Sequence, residues 1–101
     1  MTIQNAYLTI SNILNDYYLK ESKNDSLVSL LSDMDTNIFS DGEPADIATY
    51  EDWYNVVKGY EQNNEIKNQD INLGLTDFLI YYQKEFGHDF EKVIKYIQEE
   101  K

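Results

Sequence analysis

Apolar side chains recur along most of this chain three and four residues apart, the spacing of one face of an α-helix. The period is present in segments 2–21, 26–33 and 71–86, from residue 90 onward, and in a central segment that starts at 46 or 49 and ends near 62. Runs in which apolar and polar residues alternate, as they do in strands, are short. The pattern predicts an all-α fold of four or five helices. Its apolar stripes comprise Ile3, Ala6, Tyr7, Ile10, Ile13, Leu14 and Tyr17; Leu27, Leu30, Leu31 and Met34; Tyr50, Trp53, Val56 and Tyr60; Leu75, Phe78, Leu79 and Tyr82; and Phe90, Val93, Ile94 and Ile97.

Residues that favour helix ends lie between these stripes. Asn24 and Asp25 can cap the second helix and Asp89 the fifth, because an Asn or Asp side-chain oxygen accepts a hydrogen bond from a free backbone N–H of the first turn. Thr49, with an acid three residues later, resembles a capping box for the third helix. Gly87 follows the fourth stripe, where a glycine in the left-handed conformation commonly ends a helix.

Two connecting segments interrupt the helical period. Segment 34–46 contains Asp41-Gly42 and Pro44, which are typical of turns, and it is rich in acids. Segment 63–70 is polar and is interpreted as a mobile linker. Because 101 residues are enough for one hydrophobic core, we expect a single compact domain over 1–101. In it, two helical hairpins are joined by an acidic loop and a central helix.

Large aromatic side chains supply much of the expected core, since the chain has nine Tyr, four Phe and one Trp. Adjacent helical residues point about 100° apart, so one narrow stripe cannot bury Tyr50, Trp53 and Tyr54 together. We expect Tyr54 at the surface, where tyrosine is enriched at binding hot spots. Trp53 is expected in the core, with Leu14, Leu30, Val57 and Phe78 as its companions.

Charge is distributed unevenly along the chain. Nineteen Asp and Glu against eight Lys, with no Arg, leave a formal net charge of −11. No Lys lies between Lys23 and Lys58, whereas eight acids do. One interpretation is a solvated face that keeps a small protein in solution; the other is an electrostatic landing site for a basic partner. The residues assigned to such a partner-binding site are Asp33, Asp35, Asp41, Glu43, Asp46, Tyr50, Glu51 and Tyr54.

The same composition argues against several ligands and locations. Without arginine or a basic patch, direct binding of nucleic acid or of an anionic membrane is not expected. No apolar run approaches the length of a bilayer span, and the N-terminal Met-Thr-Ile-Gln lacks the features of a signal peptide. Cysteine is absent, which removes disulfide and thiolate chemistry. A cytoplasmic location is expected, with leaderless secretion as the alternative.

One short segment resembles a metal-binding motif. Asp33-x-Asp35-x-Asn37 has the spacing of the first ligands of a calcium-binding helix-loop-helix. Ile38 stands where that loop needs glycine, and Pro44 stands where it needs a bidentate glutamate. A dedicated metal site is therefore not expected.

Catalytic residues are also scarce. His88, the one histidine, lies in a predicted turn and is expected to face solvent without a nucleophile beside it. The glycines are isolated, so no loop is suited to cradle a phosphate. We expect a binding protein that is not an enzyme and has no cofactor.

The order of features resembles a group of small acidic immunity proteins from bacterial polymorphic and contact-dependent toxin systems. The resemblance covers about the first sixty residues and is carried by Tyr17-Tyr18, Leu30-Leu31-Ser32-Asp33-Met34, Asp41-Gly42-Glu43-Pro44-Ala45-Asp46 and Glu51-Asp52-Trp53. It implies a cytoplasmic protein that binds and neutralises a cognate toxin domain.

The charge is consistent with that implication, because a nuclease-type toxin has a positively charged substrate cleft that an acidic protein can block. The alternative is an acidic nucleic-acid mimic or adaptor that binds another basic protein. In both cases the expected partner is a protein.

Overall fold

The helices begin and end close to the limits of the apolar stripes. A computed structural model describes residues 1–20, 25–34 and 47–99. Within these ranges the extended pairing is limited to two isolated β-bridges, so the predicted all-α fold is confirmed. The elements are α1 (Ile3–Lys20), α2 (Asp25–Asp33), α3 (Ile47–Val57), a 3₁₀ helix (Lys58–Tyr60), α4 (Asn68–Phe86) and α5 (Glu91–Glu99).

Two helical hairpins and a central helix make up the described fold, as predicted. α1 packs against α2, and α4 packs against α5. The central helix α3 packs most extensively against α4 and also contacts α1. The predicted acidic loop lies outside the described residues. No helix in the described part of the chain combines the length and apolar character needed to cross a membrane.

Trp53 lies at the centre of the core, as predicted, with none of its side chain exposed. Its Nε1 donates a hydrogen bond to the backbone oxygen of Ile3 at 3.2 Å, which satisfies the one polar atom of the buried ring. The edge of the indole meets the ring of Phe78, with centroids 5.7 Å apart. The four predicted companions are also fully buried: Leu14, Leu30, Val57 and Phe78.

The predicted roles of Gly87 at the end of α4 and of Asp89 at the start of α5 are confirmed. Gly87 is left-handed, with φ of 71°, and its N–H donates to the carbonyl of Gln83 at 3.0 Å. Asp89 Oδ1 accepts a hydrogen bond from the N–H of Glu91, the first residue of α5, at 3.1 Å. Both contacts satisfy backbone groups that a helix end leaves without an intrahelical partner.

The predicted capping box at α3 is wrong. The helix begins at Ile47, close to the earlier of the two predicted starts. Thr49 therefore lies within the first turn, where it is buried and not in the cap position. The fourth helix also begins earlier than predicted, at Asn68.

The segment interpreted as a mobile linker contains a hydrogen-bonded turn instead. Gln62 and Glu65 exchange backbone hydrogen bonds of 2.8 and 3.0 Å across Asn63 and Asn64. Both asparagines have positive φ, 55° and 65°, as a two-residue turn of type I′ requires. Asparagine tolerates this conformation better than most residues. Ile66 then enters the core with 1% of its surface exposed, so the segment is anchored directly after the turn.

Gly74 allows α3 and α4 to approach closely. A Cβ at this position would lie 2.8 Å from Val57 Cγ1 and 3.3 Å from the indole of Trp53. Both neighbours are fully buried and lack space to move aside. The small residue therefore positions α3, which carries several of the candidate binding residues.

We expect Gly74→Ala to destabilise the protein by about 1 kcal/mol. Overpacking a core typically costs about 1–3 kcal/mol, and the better helix propensity of alanine offsets about 1 kcal/mol of that. Gly59→Ala is the matched control, because no atom lies within 4 Å of the added methyl group. Urea denaturation of the two variants measures the difference. The close-approach explanation is contradicted if Gly74→Ala is as stable as Gly59→Ala.

Candidate protein-binding surface

The outer side of α3 carries three of the predicted site residues. Glu51 is exposed, and Tyr54 has 40% of its surface exposed, as predicted. Tyr50 is half-buried, and its ring meets that of Tyr7 edge-on at a centroid distance of 5.1 Å. Tyr50 is therefore held in place by α1, while Tyr54 and Glu51 remain accessible to a partner.

Asp33, the last residue of α2, has an internal contact. Its Oδ2 accepts a hydrogen bond of 2.6 Å from the hydroxyl of Tyr82 on α4. Its carboxylate therefore joins two helices and is only half-buried. The remaining residues of the predicted site and of the metal-like motif lie outside the described residues: Asp35, Asn37, Asp41, Glu43 and Asp46.

Two further tyrosine–aspartate pairs were not predicted from the sequence. The Tyr81 hydroxyl donates to Asp52 Oδ1 on α3 at 3.2 Å. The Tyr60 hydroxyl donates to Asp77 Oδ2 on α4 at 2.6 Å. Each hydrogen bond has an ionised acceptor, which makes it stronger than a bond between neutral groups. The pairs fix tyrosine side chains next to carboxylates on the α3–α4 side of the protein.

These residues lie on three neighbouring elements: α3, the 3₁₀ helix that follows it, and α4. On α3, the 100° step between residues places Asp52 on the flank towards Tyr81, Tyr54 on the flank towards α1, and Glu51 between them. Asp77 and Tyr81 are four residues apart and share one face of α4. We call this the acidic–tyrosine surface and define it by Glu51, Asp52, Tyr54, Tyr60, Asp77 and Tyr81.

The tyrosine–aspartate pairs change the titration of both tyrosines. The hydrogen bond to Asp77 raises the pKa of Tyr60 above its ordinary value, and desolvation adds to the increase. The pKa of Tyr81 is raised first by desolvation and then by the negative charge of Asp52. A pKa that rises on folding means that the protonated tyrosine stabilises the fold. This stabilisation is present below about pH 10 and is lost as pH rises through the folded-state pKa.

We therefore expect the unfolding free energy to fall above about pH 10, and to fall less in Tyr60→Phe than in the parent. Urea denaturation at a pH of about 8 and about 11 measures this difference, because the first value is below and the second above the ordinary pKa of tyrosine. Tyr54→Phe is the control, because no hydrogen bond from its hydroxyl is described. If Tyr60→Phe and Tyr54→Phe lose the same stability, the Tyr60–Asp77 pair does not contribute as argued.

His88 is not the solvent-facing turn residue that was predicted. It is half-buried, its ring stacks on Tyr82 at 5.5 Å, and its Nδ1 lies 3.1 Å from Ser26 Oγ. The same oxygen accepts the N–H of Asp89 at 3.4 Å. A serine–histidine pair acts in catalysis when a third group orients the histidine and donors stabilise an oxyanion. No such arrangement is described around His88, and its contacts link the start of α2 to the α4–α5 turn.

The surface is suited to protein recognition. Each of its three tyrosines combines a large apolar ring with a hydroxyl. Tyr60 and Tyr81 donate hydrogen bonds to carboxylates, and Tyr54 lies on the same helix as Glu51. Comparison with protein-family models, curated proteins and solved structures gives no significant match. Its geometry and charge, together with the resemblance of the first sixty residues, are therefore the basis for a functional proposal.

Proposed function

We propose that this protein is a cytoplasmic immunity protein that binds and neutralises a cognate toxin domain, a basic effector of the nuclease type. The observation that carries the proposal is the acidic–tyrosine surface, where Asp52 and Asp77 fix Tyr81 and Tyr60 by hydrogen bonds and α3 exposes Glu51 and Tyr54. The resemblance of the first sixty residues to immunity proteins supports the same function.

The charge of the protein favours rapid encounter with a basic partner. A net charge of −11 on a chain of 101 residues generates a field that reaches beyond the contact surface. This field raises the association rate, and salt screens it over about 8 Å at physiological ionic strength. Electrostatic attraction thus explains selection of a basic domain over an acidic one.

The tyrosines supply the contacts that keep the complex together. Tyr60 and Tyr81 are anchored through their hydroxyls, so less side-chain entropy is lost when their rings are covered. Tyr54 is exposed and can be buried completely by a partner. Since aromatic residues dominate binding hot spots, these rings are expected to limit dissociation.

Copurification tests whether the partner is a cognate toxin. The tagged protein is co-expressed with an inactivated form of the toxin domain encoded beside it, and the purified complex is analysed by size-exclusion chromatography. The control is an unrelated basic domain of equal net charge. The proposal predicts a complex with the neighbouring toxin alone. Equal binding to both domains contradicts it and favours the acidic nucleic-acid mimic.

A further inference from the structure

A groove runs between α4 and α5 beside the acidic–tyrosine surface and shares Asp77 with it. Its volume is about 440 Å³. Leu73, Thr76 and Ile80 of α4 form one wall, and Ile97 and Gln98 of α5 form the other. The groove is therefore bounded by two packed helices, which gives it a defined shape.

The apolar character of this groove exceeds what α4 needs for its own packing. Leu73 has 48% and Ile80 has 37% of its surface exposed. They are seven residues apart, which is about 10.5 Å along the helix axis. Single exposed apolar residues are ordinary, but here two of them line the same groove together with Ile97. The spacing of Leu73 and Ile80 matches that of apolar side chains seven residues apart on a second helix.

Charge identifies the kind of helix that fits. Asp77 lines the groove between Leu73 and Ile80. A smaller depression of about 260 Å³ shares Ile97 with the groove and is lined by Asp16 and Lys20, among others. Because Asp16 and Lys20 offset each other, the acidic character of the groove comes from Asp77, in a protein with a net charge of −11. A basic segment is attracted to it, whereas a second copy of this chain is repelled.

We propose that this α4–α5 groove binds a basic amphipathic helix of a protein partner. Apolar side chains seven residues apart on that helix contact Leu73 and Ile80, and its lysines or arginines lie towards Asp77. The inference rests on the proposed function only in taking the partner to be a basic protein. It extends the acidic–tyrosine surface, from Asp77, by an apolar contact region on α4 and α5.

A synthetic peptide tests the groove without a toxin. The probe is a fluorescent helical peptide of about 14 residues, four turns, with leucines on one face and lysines elsewhere. Fluorescence anisotropy measures its affinity for the parent protein and for a Leu73→Asn/Ile80→Asn variant. Phe86→Asn is the matched control, because Phe86 is 54% exposed but does not line the groove. Circular dichroism verifies that all variants remain helical.

The peptide is expected to bind the parent saturably, and the double variant is expected to bind at least about tenfold more weakly, corresponding to about 1.4 kcal/mol. Phe86→Asn should bind like the parent. The proposal is overturned if a scrambled peptide of the same composition binds equally well, or if the double variant keeps the parent affinity. It is also overturned if sedimentation equilibrium shows a dimer that Ile80→Asn dissociates, because the groove would then bind a second copy. The peptide assay contains no toxin, so its result does not depend on whether the protein copurifies with one.

Discussion

Replacement of Trp53 by alanine is expected to lower the unfolding free energy by about 3–5 kcal/mol. The indole is fully buried between α1 and α4, where its Nε1 donates to the Ile3 carbonyl and its edge packs on Phe78. The substitution removes these contacts, leaves a cavity and removes the indole N–H that the Ile3 carbonyl accepts. A small domain has about 5–15 kcal/mol of stability in total, so the loss is a large fraction of it.

Urea denaturation followed by circular dichroism at 222 nm, a helix signal that does not depend on the tryptophan, measures the change. Tyr54→Ala is the matched control, since it removes an exposed aromatic residue one position along the same helix. Its expected effect is below about 1 kcal/mol, as for most surface substitutions. If the two variants unfold at the same urea concentration, Trp53 does not have the core role described above.

The second large effect is expected in the kinetics of the toxin complex. Tyr54→Ala should raise the dissociation rate by about 30-fold, equivalent to about 2 kcal/mol, because a hot-spot aromatic is lost from the contact.

Simultaneous charge reversal at Asp41, Glu43 and Asp46 should instead lower the association rate. Raising salt should slow association steeply and change dissociation less.

A charge-matched control separates local contacts from net charge. Glu51→Lys and Glu99→Lys change the net charge equally, but Glu51 belongs to the acidic–tyrosine surface and Glu99 is an exposed residue at the end of α5. Surface plasmon resonance should show the larger loss of association rate for Glu51→Lys. Equal losses would place the binding site elsewhere and leave only a general charge effect.

The helices were predictable because their signal is local. Six of the seven apolar residues of the first stripe are buried in α1, and Ile13 is partly buried. The burial of Trp53 followed from its place on the third stripe and from its size. The turn at Asn63 and Asn64 also had a local signal, since paired asparagines favour positive φ, but the polar composition around them was interpreted as a linker.

The tyrosine–aspartate pairs could not be predicted in the same way. Tyr82 and Asp33 are 49 residues apart, and Tyr81 and Asp52 are 29 apart, so their contacts depend on how the helices pack. The contact of His88 with Ser26 spans 62 residues. Sequence reasoning identified Asp33 as an acid available to a partner, whereas the fold uses it as an acceptor between α2 and α4. For Tyr54, the predicted exposure at the surface is confirmed.

Survival of cells that produce the neighbouring toxin is the most direct test of the proposed function. The active toxin is induced with the parent protein, with Glu51→Lys/Tyr54→Ala, or with Glu99→Lys, and colony counts are compared at matched protein levels. We expect full protection by the parent and by Glu99→Lys, reduced protection by the double variant, and no protection by the parent against an unrelated toxin. Death of cells that contain the parent protein and its neighbouring toxin would contradict the proposed function.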